Sequence, residues 1–135
     1  ILYTDWILSS IIDVIGQPNI VSSFTFVSDH GEHINKEGAG HGGNCSPVKE
    51  EYHVPFIFWW SDEYETLHPQ KTYNAKLHTH SKINGDCIFY SICDMAAIQL
   101  DSLYSKTSWS IFSPTFEEHS RLILLPDGIN TIAVD

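Results

Sequence analysis

A chain of 135 residues is the size of one domain and can bury a single substantial core. Its formal charge of −10, with only seven lysines and arginines, argues against nucleic acid or an anionic membrane surface as a direct partner, and suits a site for a divalent cation. No apolar run reaches the length of about eighteen residues that a transmembrane helix needs, and the first residues lack the basic region and cleavage site of a signal peptide. The chain opens on Ile1-Leu2-Tyr3 as if partway into a helix, which predicts a fragment of a longer protein.

Residues 1–15 predict a helix. Asp5, Ser9 and Asp13 recur every four residues as a polar stripe, while Ile1, Leu2, Trp6, Ile7, Leu8, Ile11, Ile12 and Ile15 cover most of the remaining surface. So wide an apolar surface predicts a helix packed deeply against a sheet, ended by Gly16 and Pro18. Residues 22–28 read as a buried strand, and 29–53 as a long polar loop holding five glycines, Gly31, Gly38, Gly40, Gly42 and Gly43. A loop of that length inside a compact domain is functional or disordered.

The continuous apolar run Val54 to Trp60 predicts a strand covered on both faces. Ser61 and Glu63 mark a helix start, closed at His68-Pro69, and residues 70–84 are polar and suit a short helix and a loop. Asp86 to Ile98 predicts a second buried helix with Ile88, Phe89, Ile92, Met95 and Ala96 at helical spacing. Beyond Leu100 the pattern weakens to loops, with short strands at 122–125 and 131–134. This alternation of helices and strands predicts an α/β fold in one domain spanning 1–135. Three cysteines, Cys45, Cys87 and Cys93, leave at least one unpaired and set no compartment.

The chemistry concentrates where the first strand ends, at Ser28-Asp29-His30-Gly31-Glu32-His33. A carboxylate and a neutral imidazole are ordinary zinc ligands, and adjacent residues at a strand end can turn into one cleft. An isolated Asp-His pair is more simply a turn acid beside a surface histidine; the apolar strand before it and Gly31 after it, permitting a tight turn, favour the metal corner. His41, among glycines, reads either as a second metal ligand or phosphate donor, or as an ordinary loop histidine. Glu32 suits an acid that anchors the loop, and His33 a solvated side chain. His53 suits the entrance of the next strand, and His78-Thr79-His80 a surface loop. No G-x-S-x-G elbow, Walker A loop, C-x-x-C pair or zinc-protease motif occurs.

The successive blocks ILYTDWILSSIID, FTFVSDHGE, the GHG around His41, YHVPFIFWWS and NGDCIFYSICDMAAI resemble the phosphoethanolamine transferases, in the sulfatase-like branch of the alkaline phosphatase superfamily. The segment IFSPTFEEHSR looks more like the branch that modifies lipopolysaccharide core sugars than the lipid A branch. The resemblance covers nearly the whole chain, as the C-terminal part of a catalytic domain whose sheet is flanked by helices. It implies a zinc enzyme of the bacterial inner membrane with a periplasmic catalytic domain, anchored by membrane helices upstream of this segment. Phosphatidylethanolamine is the implied donor and lipopolysaccharide, through lipid A or a core sugar, the implied acceptor. Asp29 and His30 are the implied zinc ligands, and His41 the residue that binds substrate phosphate or a second zinc. The implied threonine nucleophile and a further acidic ligand lie upstream, so the segment carries no catalytic nucleophile and is expected to be inactive alone. A sulfatase or phosphodiesterase on the same scaffold, with water as acceptor, and a non-catalytic binding module are the alternatives.

Overall fold

A computed structural model of the chain describes residues 2–35, 38–40, 48–102, 105–125 and 127–134. Five α-helices are described, α1 Leu2–Ile15, α2 Lys49–Tyr52, α3 Asp62–Leu67, α4 Pro69–Leu77 and α5 Gly85–Met95, with one 3-10 turn at Thr107–Trp109. The six strands are β1 Ser23–Val27, β2 His33–Asn35, β3 Gly38–Gly40, β4 Phe56–Trp60, β5 Leu122–Leu124 and β6 Thr131–Ala133. They form three two-stranded sheets among the described residues, β1 with β4, β2 with β3 and β5 with β6. The chain is thus a mixed helix and strand structure, without a larger helix-flanked sheet among the described residues.

The chain divides into two compact units, Ile1–Phe24 with Phe58–His119, and Thr25–Ile57 with Ser120–Asp135. The division falls inside β1 and β4.

The first unit holds the core. Tyr64, Ala75, Met95, Ile111 and Phe112 are buried together, with Phe58, Trp60, Ile83 and Phe116 packed against them. Phe112 is the keystone, 1% exposed, with the rings of Phe58 and Trp60 edge-on to it at 5.1 and 6.2 Å. Such edge-to-face pairs add to the free energy of burial itself. The four residues Ser110–Ser113 are buried without belonging to a helix or strand; the Ser110 and Ser113 N–H groups find backbone carbonyls, and side chains must satisfy the two residues between them. They do: Ile111 donates its N–H to Ser91 Oγ (3.1 Å), and its carbonyl accepts from His78 Nδ1 (2.8 Å). The Phe112 carbonyl accepts from Asn74 Nδ2 at 2.9 Å, and its N–H donates to Ser110 Oγ at 3.1 Å.

Ser61 organises the entry to α3. Its Oγ accepts from the Tyr64 and Ser22 N–H groups, each at 3.2 Å, and donates to the Ile20 carbonyl at 2.9 Å. It is both an N-cap and a tie to the segment before β1. Pro69 follows at the first turn of α4, where a missing N–H costs nothing, so the His68-Pro69 pair both closes α3 and opens α4. Tyr64 donates its hydroxyl to the Met95 carbonyl at 2.7 Å, and burial, helped by the Asp94 carboxylate, pushes the phenol up to about 12.

Three expectations are corrected here. Within this chain α1 is not packed deeply: none of its residues is buried, and Leu2, Tyr3, Trp6 and Val14 are exposed. The buried face of α5 is Cys87, Ser91 and Met95, at i, i+4 and i+8, with Cys93 also buried, whereas Phe89 and Ile92 point outward. Small polar groups with a local partner won over larger apolar ones: Cys87 Sγ and its N–H both reach Asn84 Oδ1, the N-cap of α5, at 3.2 Å. Burial raises the Cys87 thiol above its ordinary range. The segment read as one long loop, 29–53, contains the antiparallel pair β2–β3, with His33 opposite Gly40, and the single turn α2.

Candidate functional site

The second unit carries the corner singled out by the sequence. β1 ends at Val27, where the strand's hydrogen bonding gives way to a turn held by its own side chains. Ser28 Oγ donates to the His30 carbonyl at 2.7 Å, and the His30 N–H donates to Asp29 Oδ1 at 3.0 Å. Asp29 and His30 are therefore brought together on one side of the turn, with Asp29 Oδ2 3.8 Å from His30 Nε2. Their side chains are 88% and 43% exposed.

The imidazole of His30 is oriented by backbone. Its Nδ1 lies 3.0 Å from the Gly31 carbonyl oxygen, and a carbonyl only accepts, so Nδ1 carries the proton and the lone pair of the neutral ring sits on Nε2. That is how a ligating histidine is normally held, with one nitrogen donating to a carbonyl and the other presented to the metal. Ligand atoms about 2.0–2.2 Å from a tetrahedral zinc stand about 3.3–3.6 Å from each other. The separation of Asp29 Oδ2 and His30 Nε2 is close to that span, and the donor set, one carboxylate and one imidazole, fits the ion. Among the described residues no group of three or more His, Cys, Asp and Glu side chains is gathered to hold a metal. His41, the third candidate, lies outside the described residues.

A β-carbon at Gly31 is obstructed, as expected, but by another segment rather than by the turn itself. Its φ is not in the left-handed region; instead a β-carbon there would stand 1.9 Å from the Glu50 carbonyl oxygen. Two backbones meet at this point, and the Gly31 N–H donates to the Glu51 carbonyl at 2.7 Å. His33, expected to be solvated, is instead 19% exposed and donates Nδ1–H to Glu51 Oε1 at 2.7 Å, with the Glu51 side chain 12% exposed. Glu51 is the residue sequence reasoning missed. It belongs to a charged run, Lys49-Glu50-Glu51, that reads as a solvated face, and its only sequence signal is an acid on the far side of a glycine-rich loop.

The other described histidines lie outside the Asp29–His30 turn, and His119 stacks on Trp109 at 3.8 Å. His78 ends α4, donates to the Ile111 carbonyl and lies 4.7 Å from the Phe116 ring, and His68 lies 4.7 Å from the ring of Tyr64. His53 ends α2 with its N–H on the Lys49 carbonyl, and His80 is exposed in the turn after α4.

The Sulfatase family model matches residues 1–96 of the chain. Phosphoethanolamine transferase EptC of Escherichia coli (strain K12) is 26% identical over 134 residues, covering 97% of this chain and 22% of that protein. Phosphoethanolamine transferase EptA of Helicobacter pylori is 28% identical over 94 residues, 68% of this chain and 17% of that protein. Phosphoethanolamine transferase CptA of Salmonella typhimurium is 29% identical over 110 residues, 79% of this chain and 18% of that protein. The chain thus spans about a fifth of the length of the curated relatives it matches. No solved structure matches it.

Proposed function

The chain belongs to the sulfatase family, with the alkaline phosphatase-like α/β fold this implies, and we propose that it is part of a zinc-dependent phosphoethanolamine transferase. The observation that carries this reading is the Asp29–His30 pair at the end of β1, with the lone pair of Nε2 fixed 3.8 Å from a carboxylate oxygen by the Nδ1–H bond to Gly31. The names of the relatives supply the group transferred.

Asp29 and His30 hold the metal from one side, and His41 binds the substrate phosphate or a second zinc. Bound zinc polarises a phosphoryl oxygen and lowers the pKa of a hydroxyl nucleophile. That nucleophile is a threonine outside these 135 residues, which carries the phosphoethanolamine group between donor and acceptor and so divides one difficult displacement into two. Phosphatidylethanolamine is the donor and a lipopolysaccharide, at lipid A or a core sugar, the acceptor. The reaction takes place on the periplasmic side of the bacterial inner membrane, to which other segments of the protein attach it. No helix among the described residues is long and apolar enough to cross a membrane. The 135 residues alone are inactive in this reading.

The test uses full-length protein with head-group-labelled phosphatidylethanolamine and lipopolysaccharide. Label in the lipopolysaccharide supports the transferase, while free phosphoethanolamine with no acceptor product identifies a hydrolase. Absence of any turnover, with full zinc content, favours a binding module. Asp29→Ala and His30→Ala are expected to lower zinc content, and undiminished zinc in both overturns the ligand assignment.

A further inference from the structure

We propose that Glu51 is a positioning residue for the metal corner, clamping the Asp29–His30 turn from α2 at two points. The inference rests on the zinc reading above. The first point is backbone: the Glu51 carbonyl accepts the Gly31 N–H at 2.7 Å, and the Gly31 carbonyl in turn accepts Nδ1–H of His30 at 3.0 Å. The orientation of the ligating ring is thus two hydrogen bonds removed from Glu51. The second point is the carboxylate, whose Oε1 accepts Nδ1–H of His33 at 2.7 Å, three residues beyond His30. Between them, the missing β-carbon of Gly31 allows the Glu50 carbonyl to approach to a distance that no other residue type permits.

Both partners of the second bond are largely shielded from water, at 19% and 12% exposure, so solvent does not readily substitute for either. A turn fixed only by Ser28 and Asp29 would be free to reorient, since Asp29 is 88% exposed. With residues 31 and 33 both anchored to Glu51, the backbone on the C-terminal side of His30 is held. Groups bonded directly to a metal ligand cost about 10–100-fold in metal affinity when removed, and the Glu51 carboxylate, acting through His33 at one remove, stands at the low end of that range.

The experiment measures zinc affinity of the full-length protein by competition with a chromophoric chelator, alongside thermal melting of the metal-free protein. Glu51→Ala and His33→Ala are each expected to weaken zinc binding by about 10-fold, the low end of the range for groups that orient ligands. The double variant should be no worse than the more damaging single one, because both remove one bond. Glu51→Gln keeps an oxygen that accepts from Nδ1–H, and it should recover most of the loss. Lys49→Ala, exposed on the same turn of helix, should bind zinc normally. Unchanged zinc affinity in Glu51→Ala, whether or not its melting temperature falls, overturns the clamp and leaves a merely structural pair. The zinc reading fails separately: there, Asp29→Ala and His30→Ala also leave affinity unchanged, whereas failure of the clamp alone leaves those two defective.

Discussion

The two units of this chain are held by different forces. In the unit of Ile1–Phe24 and Phe58–His119, aromatic and aliphatic side chains are buried around Phe112, and polar side chains of α4 and α5 close the hydrogen bonds of the buried Ser110–Ser113 segment. In the unit of Thr25–Ile57 and Ser120–Asp135, no described residue is buried. Its turn at 28–33 is kept by a few hydrogen bonds and by the contact of two backbones at Gly31. The first unit is held by apolar burial, and the second by hydrogen bonds around the Asp29–His30 turn. Sites that bind and react are commonly drawn from such sparsely packed segments.

Three substitutions sharpen that contrast. Phe112→Ala should cost about 3–5 kcal/mol by chemical denaturation, the range for truncating a buried aromatic. It should do so without altering the Asp29–His30 turn, whose bonds from Ser28, Asp29 and Gly31 are made within its own unit; a changed amide-exchange rate at Gly31 under native conditions would break the contrast. Gly31→Ala should cost less in overall stability, about 1–3 kcal/mol for an overpacked site, because the backbones have to part. Zinc affinity should nevertheless fall more in Gly31→Ala than in Phe112→Ala, and chelator competition measures both.

The smallest effect concerns pH. The Tyr64 phenol, pushed up to about 12 by burial, keeps its proton in the folded chain over a range where the unfolded chain has lost it. The unfolded state then binds fewer protons, so stability is full below the ordinary value of 10.0 and is lost as pH rises towards about 12. Tyr64→Phe should remove that alkaline dependence in a series of melts from neutral pH upward. At neutral pH it should cost about 1 kcal/mol for the bond to the Met95 carbonyl.

Much of the framework was legible from local chemistry. The four-residue polar stripe of residues 1–15 predicted α1, the apolar runs predicted β1 and β4, and Ser61 announced α3 because a serine oxygen satisfies an orphan N–H at a helix start. Asp29 and His30 stood out for a similar reason: a strand end is a local event, and the two side chains that leave it are adjacent in sequence. The buried role of Ser110–Ser113 was not legible. A segment without periodicity reads as loop, and nothing local says that Asn74, His78 and Ser91 will close its hydrogen bonds.

The sequence by itself determined the longer elements, α1, β1, β4 and the start of α3, and that an acid and an imidazole end β1, because helix period, strand alternation and capping act over a few residues. Only the tertiary structure decided which face of α5 is buried, why residue 31 is glycine, and which acid matters around the corner. Those answers depend on what meets each residue across the chain: the Ile111 N–H on Ser91, the Glu50 carbonyl against Gly31, and the Glu51 carboxylate eighteen positions from His33. Contacts of that separation leave no period in the sequence, so the Asp29–His30 pair was visible in it and Glu51, bonded to Gly31 and His33, was not.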